Sequence, residues 1–325
     1  MKIAIAGAGA VGGVVAWHLA RAGAAPTIVA RATTVDAIAH YGLTLSGTNG
    51  PETVAINTTN APAALGACDV VFTGFKAHDY PHALALVRPL FGAKTVVVPL
   101  LNGIPWWYFE RQTGPFAGYR MQALDADGAI AAAIPAAAII GGVVYMGASR
   151  VSPAHIAWNG RLRIVLGELD GGRSDRLGAI AKVMTQSGIE TVISDDIRAD
   201  VWLKLLGNTS YNPLSVATGA TMGQLIGDPA LKRILRLLMQ ETVAVAQAVG
   251  ITKAFDIDAR LAAVSSMRDF RTSMLQDFDA GRPMELGALV HAVTELGALT
   301  GIPTPTIETI GALAAARWQM VHAVA

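Results

Sequence analysis

Lys204, Asn208 and Asn212 recur at every fourth position of VWLKLLGNTSYNPL, residues 201–214. Four residues is slightly more than one helical turn, so a helix here carries an ammonium and two carboxamides in one polar stripe. Val201, Trp202, Leu203, Leu205 and Leu206 surround that stripe and read as core. Burying such polar groups without partners is costly. One reading is that the three side chains meet a small polar ligand. The other is a lysine snorkelling from a core helix, with two amides capping a turn. The helix alone leaves both open.

The elements that position a ligand begin at the other end of the chain. KIAIA (2–6) is a short apolar run, GAGAVG (7–12) follows it directly, and VVAWHLARAG (14–23) has helical periodicity closed by Gly23. This is strand, glycine turn, helix. In such a turn Gly7 permits the tight bend, Gly9 lets the backbone approach a pyrophosphate, and Gly12 lets the helix pack on the strand. The helix N-terminus then offers free N–H groups to phosphate. The spacing predicts a dinucleotide site formed by Gly7, Ala8, Gly9, Ala10, Val11 and Gly12. PTIVA (26–30) reads as the second strand. About 20 residues past the glycines, an NAD site usually carries Asp or Glu for the ribose hydroxyl. Here the position holds Arg31, and no acid occurs before Asp36. A guanidinium suits a 2′-phosphate through charge-assisted contacts, so the expected cofactor is NADP(H) rather than NAD.

Strands and helices then alternate. GLTLSG (42–47) and ETVAIN (52–57) read as a hairpin inserted after the second unit, DVVFTG (69–74) and KTVVVPL (94–100) as buried parallel strands, and residues 78–92 as the helix between them. Lys76 and Asn102 follow the carboxyl ends of the two parallel strands, where open α/β sheets bind ligands. Further strands are expected within 136–169, a helix at 177–188 and a closing strand at 189–194. After Asp195 the pattern becomes almost wholly helical. One helix runs over 228–250, with Asp228 as cap and Pro229 at its first position, and others over 256–270, 285–299 and 305–322. The predicted fold is α/β: a Rossmann-type doubly wound domain over 1–195, then an all-α domain over 196–325, with the active site in the cleft between them.

Composition narrows the class. The 325 residues suffice for two cores. The chain is 52% hydrophobic and 15% charged, yet no apolar run approaches the roughly 20 residues of a membrane span. The first strand opens the chain, leaving no room for a signal peptide. A lone Cys68 excludes an internal disulfide and a cysteine-rich metal site. A net charge of +1 gives no attraction to nucleic acid or anionic membrane. The histidines lack metal-ligand spacing, so no metal is expected. His18 reads as packed in the first helix, and His78, His82 and His155 have no carboxylate partner in a motif. His291 reads as a buried structural histidine. These features describe a cytoplasmic, soluble protein directed at a small molecule, a monomer or homodimer.

Taken together, GAGAVG, Arg31, FKAHD around Lys76, LNG around Asn102, IRADVWLKLLGNTSYNPL (197–214) and SMLQDFDAGRPMEL (273–286) resemble the ketopantoate reductases almost end to end. The resemblance implies a Rossmann domain followed by a helical domain, and reduction of the keto group of ketopantoate by NADPH to give pantoate for pantothenate synthesis. It implies that Lys204 is the catalytic lysine and that Asn208 and Asn212 bind substrate. Asn102 would touch both substrate and cofactor, Ser273 the region of the substrate carboxylate, Glu285 the nicotinamide ribose, and Ala148 the cofactor. Two places depart from the family. Where it commonly continues the glutamate motif with Asp, Asn and Gly, this chain has Gly287, Val290 and His291, and a further substrate asparagine of some members aligns with Met222. A pocket changed in this way can prefer a more apolar 2-keto acid.

The chemistry fits the residues. Hydride transfer to a ketone builds negative charge on oxygen, which an ammonium can stabilise and protonate. Burial lowers a lysine's pKa and a carboxylate such as Glu285 raises it. The other readings are a related β-hydroxyacid dehydrogenase acting on a different substrate, and a dinucleotide-binding sensor that has lost catalysis.

Overall fold

The computed structural model describes residues 1–264 and 269–322. The chain forms two compact units. One comprises residues 1–101, 109–118 and 128–197; the other comprises 102–108, 119–127 and the chain from Arg198 onward. The short excursions 102–108 and 119–127 carry Asn102 into the helical unit, whereas the sequence reading places it in the first domain.

In the first unit, β1 (Ile3–Ala6), β2 (Thr27–Val29), β5 (Asn57–Thr59), β6 (Val70–Thr73) and β7 (Val96–Pro99) form an all-parallel sheet in the order β5-β2-β1-β6-β7. β1, β6 and β7 are buried along their whole length, which explains why they read as continuous apolar runs instead of alternating ones. The chain crosses the sheet at β1, between β2 and β6. The glycine turn leaves the carboxyl end of this strand, the topological switch point where such sheets bind ligands.

A second sheet takes the remaining strands: β3 (Leu43–Gly47), β4 (Gly50–Val54), β8 (Ile140–Ser152), β9 (His155–Glu168) and β10 (Glu190–Ile193). The expected hairpin is β3 and β4, joined antiparallel from Leu43 with Val54 to Gly47 with Gly50. Its second arm stops at Val54, and Asn57 begins a strand of the other sheet. β8 and β9, the strands expected within 136–169, form a long antiparallel pair. The helix Ala10–Arg21 packs against both sheets through Val14, Val15, Trp17 and Leu19, part of one continuous core.

The second unit is helical. Its longest helices are Ile197–Thr218, Pro229–Ala248 and Pro305–His322. Asp228 caps the second of these, accepting from the N–H groups of Ala230 and Leu231, with Pro229 at the first position. The helix expected over 256–270 is shorter, Ile257–Ala262, and the portion at 265–268 lies outside the described residues. The helix expected over 285–299 is a π-turn at Gly287–His291 running into Ala292–Thr300. Among the described residues no helix is long and apolar enough to cross a membrane, and no group of three or more His, Cys, Asp or Glu side chains is placed to hold a metal ion.

Candidate active site

In the first unit, the three glycines of the turn differ in what requires them. Gly7 has φ of +95°, and a side chain there would press on the Phe75 ring at 2.9 Å. At Gly12 a Cβ would overlap the carbonyl oxygen of Gly7 and crowd Ile5 Cγ2 at 3.3 Å. Internal packing accounts for both. Gly9 is different. Its backbone is extended, with φ of −72° and ψ of −171°, and a Cβ there would meet only the Gly74 carbonyl oxygen at 3.5 Å, an ordinary contact. Nothing inside the unit forbids a side chain at Gly9. The bare backbone instead leaves open the N-terminus of the helix Ala10–Arg21, which has no side-chain cap. Uncapped N–H groups behind an open glycine surface form a cradle that fits a pyrophosphate.

Arg31 stands directly beyond β2, exposed, as the N-cap residue of the helix Ala32–Tyr41. Its backbone carbonyl accepts from Thr34 and Val35. The guanidinium has no hydrogen bond or ion pair among the described residues, so it is free to meet an anion. Lys76 follows β6, half-buried, at the start of a 3₁₀ turn. Ala148 lies half-buried on β8 beside an irregularity in its pairing with β9, its side chain against the core that also takes Val11.

The second unit gathers Lys204, Asn102 and Glu285. The lysine helix forms as its sequence predicts, with Trp202, Leu205, Leu206, Tyr211 and Leu214 buried. The Trp202 indole donates to the Tyr108 hydroxyl at 2.6 Å. Lys204 Nζ donates to Asn102 Oδ1 at 2.5 Å, and Asn102 Nδ2 donates to Glu285 Oε2 at 3.1 Å. An ammonium can only donate and a carboxylate can only accept, so the two together fix which way the Asn102 amide faces. Local backbone features bring the three into register. Gly103, with φ of +83°, has no side chain to clash with Ala288, whose Cβ a side chain there would approach to 2.6 Å. Ile104 N–H can therefore donate to the Ala288 carbonyl at 3.0 Å. The Thr209 hydroxyl donates to the Leu289 carbonyl at 2.9 Å, tying the lysine helix to the π-turn that follows Glu285. The glycine of LNG thus permits close packing on the Glu285 segment.

Electrostatics tune the lysine. Its surroundings desolvate the ammonium and pull its pKa from 10.5 to about 8; the Glu285 carboxylate opposes that shift and the Arg260 guanidinium adds to it. Glu285 is itself buried, at 6% exposure. A pKa near 8 leaves Lys204 mostly protonated at neutral pH and a far better proton donor than an ordinary lysine.

The remaining expectations divide. Asn212 is buried on the lysine helix, and its Nδ2 has no hydrogen-bond partner. Asn208 is half-buried one turn earlier. Helical spacing aligns both with Lys204. Ser273 is exposed on the first turn of the helix Ser273–Asp279; its neighbour Thr272 caps that helix and bonds to Ser215 at 2.6 Å. His291 is exposed rather than buried, since it ends the π-turn on the side away from the core. Val290 is buried, and a Cβ on Gly311 would sit 2.6 Å from it. Val290 therefore packs on the C-terminal helix at Gly311. Arg260, which the sequence reading does not single out, lies against Gly207 of the lysine helix. No motif surrounds it, and only the fold brings it to Lys204.

Residues 3–171 match the family described as ketopantoate reductase PanE/ApbA, and residues 196–317 match its C-terminal region. A 2-dehydropantoate 2-reductase of Mesorhizobium japonicum is 42% identical over 315 residues, covering 96% of each chain. A solved structure from Ralstonia solanacearum MolK2 superposes with a TM-score of 0.93 at 39% identity, over 98% of both chains. The structure of 2-dehydropantoate 2-reductase from Geobacter metallireducens GS-15 does so with a TM-score of 0.86 at 28% identity, over 97% of this chain and 99% of that one.

Proposed function

The chain belongs to the ketopantoate reductase family, and on that premise we propose that it reduces ketopantoate to pantoate with NADPH. The observation that carries this reading is the bonded series from Lys204 through Asn102 to Glu285. When bound, the reduced nicotinamide supplies a hydride to the keto carbon. The protein must then hold the ketone, stabilise the oxygen as charge develops, and deliver a proton. Lys204 does the last two, as a partly buried ammonium whose charge is screened less than it would be in water. Asn102 holds that ammonium in place and relays its contact to Glu285. Glu285 keeps the lysine protonated at neutral pH by opposing its desolvation. Asn208 and Asn212 offer amide groups to the substrate's hydroxyl and carbonyl oxygens, and the buried, unpartnered Nδ2 of Asn212 supports that role.

Gly9 and the uncapped helix behind it support a dinucleotide, and the partner-free guanidinium of Arg31 supports the 2′-phosphate form. Lys76 and Ala148 are assigned to the cofactor by resemblance, and Ser273 to the substrate. The test is NADPH oxidation against a panel of 2-keto acids and 3-hydroxy acids. Turnover of ketopantoate is the expected result. Activity confined to 3-hydroxy acids would move the chain to another dehydrogenase class, and no activity with any member would leave a binding protein.

A further inference from the structure

We infer that Arg260 is a specificity-determining residue that binds the carboxylate of the 2-keto acid, an inference that rests on the reductase reading above. Gly207 lies one turn along the lysine helix from Lys204, on the same face, a separation of about 5–6 Å between Cβ positions. Its missing side chain makes a seat. A Cβ there would fall on Arg260 Nη2 and come within 3.0 Å of Cζ and Nε. The guanidinium therefore rests directly on the helix backbone beside the catalytic ammonium. Its Nε–H is buried and has no acceptor. The Tyr211 hydroxyl and Asn212 Nδ2, on the following turn of the same helix, are also buried without partners. Arg260 acts electrostatically on both Lys204 and Tyr211, adding to the lowering of the Lys204 pKa and opposing the rise that burial gives Tyr211.

The substrate's own charge points the same way. Glu285, bonded to Asn102, and Arg260 both act electrostatically on Lys204. A 2-keto acid is a monoanion with its carboxylate one bond from the carbon that receives hydride. With the keto oxygen on Lys204, the carboxylate would face the guanidinium seated over Gly207, one turn along the helix. An unpartnered guanidinium edge matches a planar carboxylate in geometry and charge.

The experiment compares a 2-keto acid with its neutral methyl ester in wild type, Arg260→Gln, Arg260→Lys and Gly207→Ala. A hydrogen bond to a charged group is worth about 1.5–3 kcal/mol, or roughly 10- to 150-fold. Arg260→Gln is expected to raise KM for the acid by that factor, with a smaller change in kcat. The ester should lose far less, so preference for acid over ester collapses. Arg260→Lys should restore part of it. Gly207→Ala keeps every charge but unseats the guanidinium, and should raise KM for the acid as well. Removing Arg260 should also move the alkaline limb of the kcat profile to higher pH, because a neighbouring cation no longer depresses Lys204. Unchanged acid-to-ester preference in Arg260→Gln, or equal losses on both substrates, would overturn the assignment. If Arg260→Gln does not fold, Arg260→Lys and Gly207→Ala decide on the same ratio. Wild type that turns over no 2-keto acid defeats the function itself, whereas wild type that does so with an indifferent Arg260 defeats only this inference.

Discussion

A lysine is a poor acid at neutral pH until its surroundings make it one, and here burial and two charged groups set that balance. Burial and Arg260 lower the pKa of Lys204 to about 8, and Glu285 raises it. Reduction requires the protonated form, so kcat should hold below pH 8 and fall as pH rises through that value. Glu285→Gln removes the group that raises the pKa, and the limb should move to lower pH in a kcat–pH profile; a limb that stays in place would separate Glu285 from the lysine. Lys204→Ala removes charge stabilisation and proton donation together. It should lower kcat by about 10²–10⁴-fold in steady-state assays, whereas a normal kcat with raised KM would make Lys204 a binding group alone. Arg31→Ala should weaken NADPH binding by roughly 10- to 150-fold, the worth of a charge-assisted contact, and leave NADH nearly unchanged; equal losses in a titration with each would remove Arg31 from the phosphate. Much at this scale was legible in the sequence. Four-residue spacing exposed Lys204, Asn208 and Asn212, since helical periodicity is local. The partners of the lysine were not legible from spacing. Asn102 bonds across 102 positions to Lys204 and across 183 to Glu285, and Arg260 sits in no pattern at all.

At the scale of elements, the glycine turn makes a distinction that two substitutions can measure. Gly12→Ala drives a methyl group into the Gly7 carbonyl and Ile5. Overpacking of this kind costs about 1–3 kcal/mol, visible as a lower Tm, with dinucleotide binding lost as the helix moves off the strand. Gly9→Ala meets only one atom at ordinary contact distance. It should lower Tm by only a few degrees, the cost of about 1 kcal/mol for alanine as an N-cap, but it should weaken NADPH binding because the methyl occupies the cradle. A Gly9 variant with strongly lowered Tm and unchanged binding would reverse that assignment. Strand, turn and helix were readable here because they are contiguous. The second sheet was not. Asn159-Gly160 is the strongest short-range hairpin signal, yet β9 continues past it with a break in register. Gly160 adopts φ of +84° within the strand, and the Asn159 side chain accepts from Gly147 and Arg161 N–H groups. The ladder takes the pair up as a bulge: Met146 pairs with Leu162 and Ala148 with Trp158, so residues 159–161 lie opposite Gly147, and pairing on either side keeps β9 in the sheet. The π-turn after Glu285 was read as plain helix for a similar reason, since its side-chain spacing differs from an α-helix by a single residue.

Across the whole molecule, the family, the parallel sheet and the helical second unit agree, and the open question narrows to which keto acid fits. The departures at Gly287, Val290, His291 and Met222 suggested a more apolar substrate. In the folded chain Val290 and Met222 are core residues and His291 faces solvent, while Asn208 and Asn212 stand on the lysine helix and Arg260 lies against it at Gly207. Ketopantoate carries a hydroxyl that 2-ketoisovalerate lacks, and a site built to bind a hydroxyl discriminates strongly against an analogue without it, by as much as about 10⁴-fold. The most direct measurement is kcat/KM for these two acids with saturating NADPH. The account predicts a large preference for ketopantoate, reduced in absolute rate but retained in ratio by Lys204→Ala. Faster turnover of 2-ketoisovalerate, or no NADPH oxidation with either acid, would contradict it.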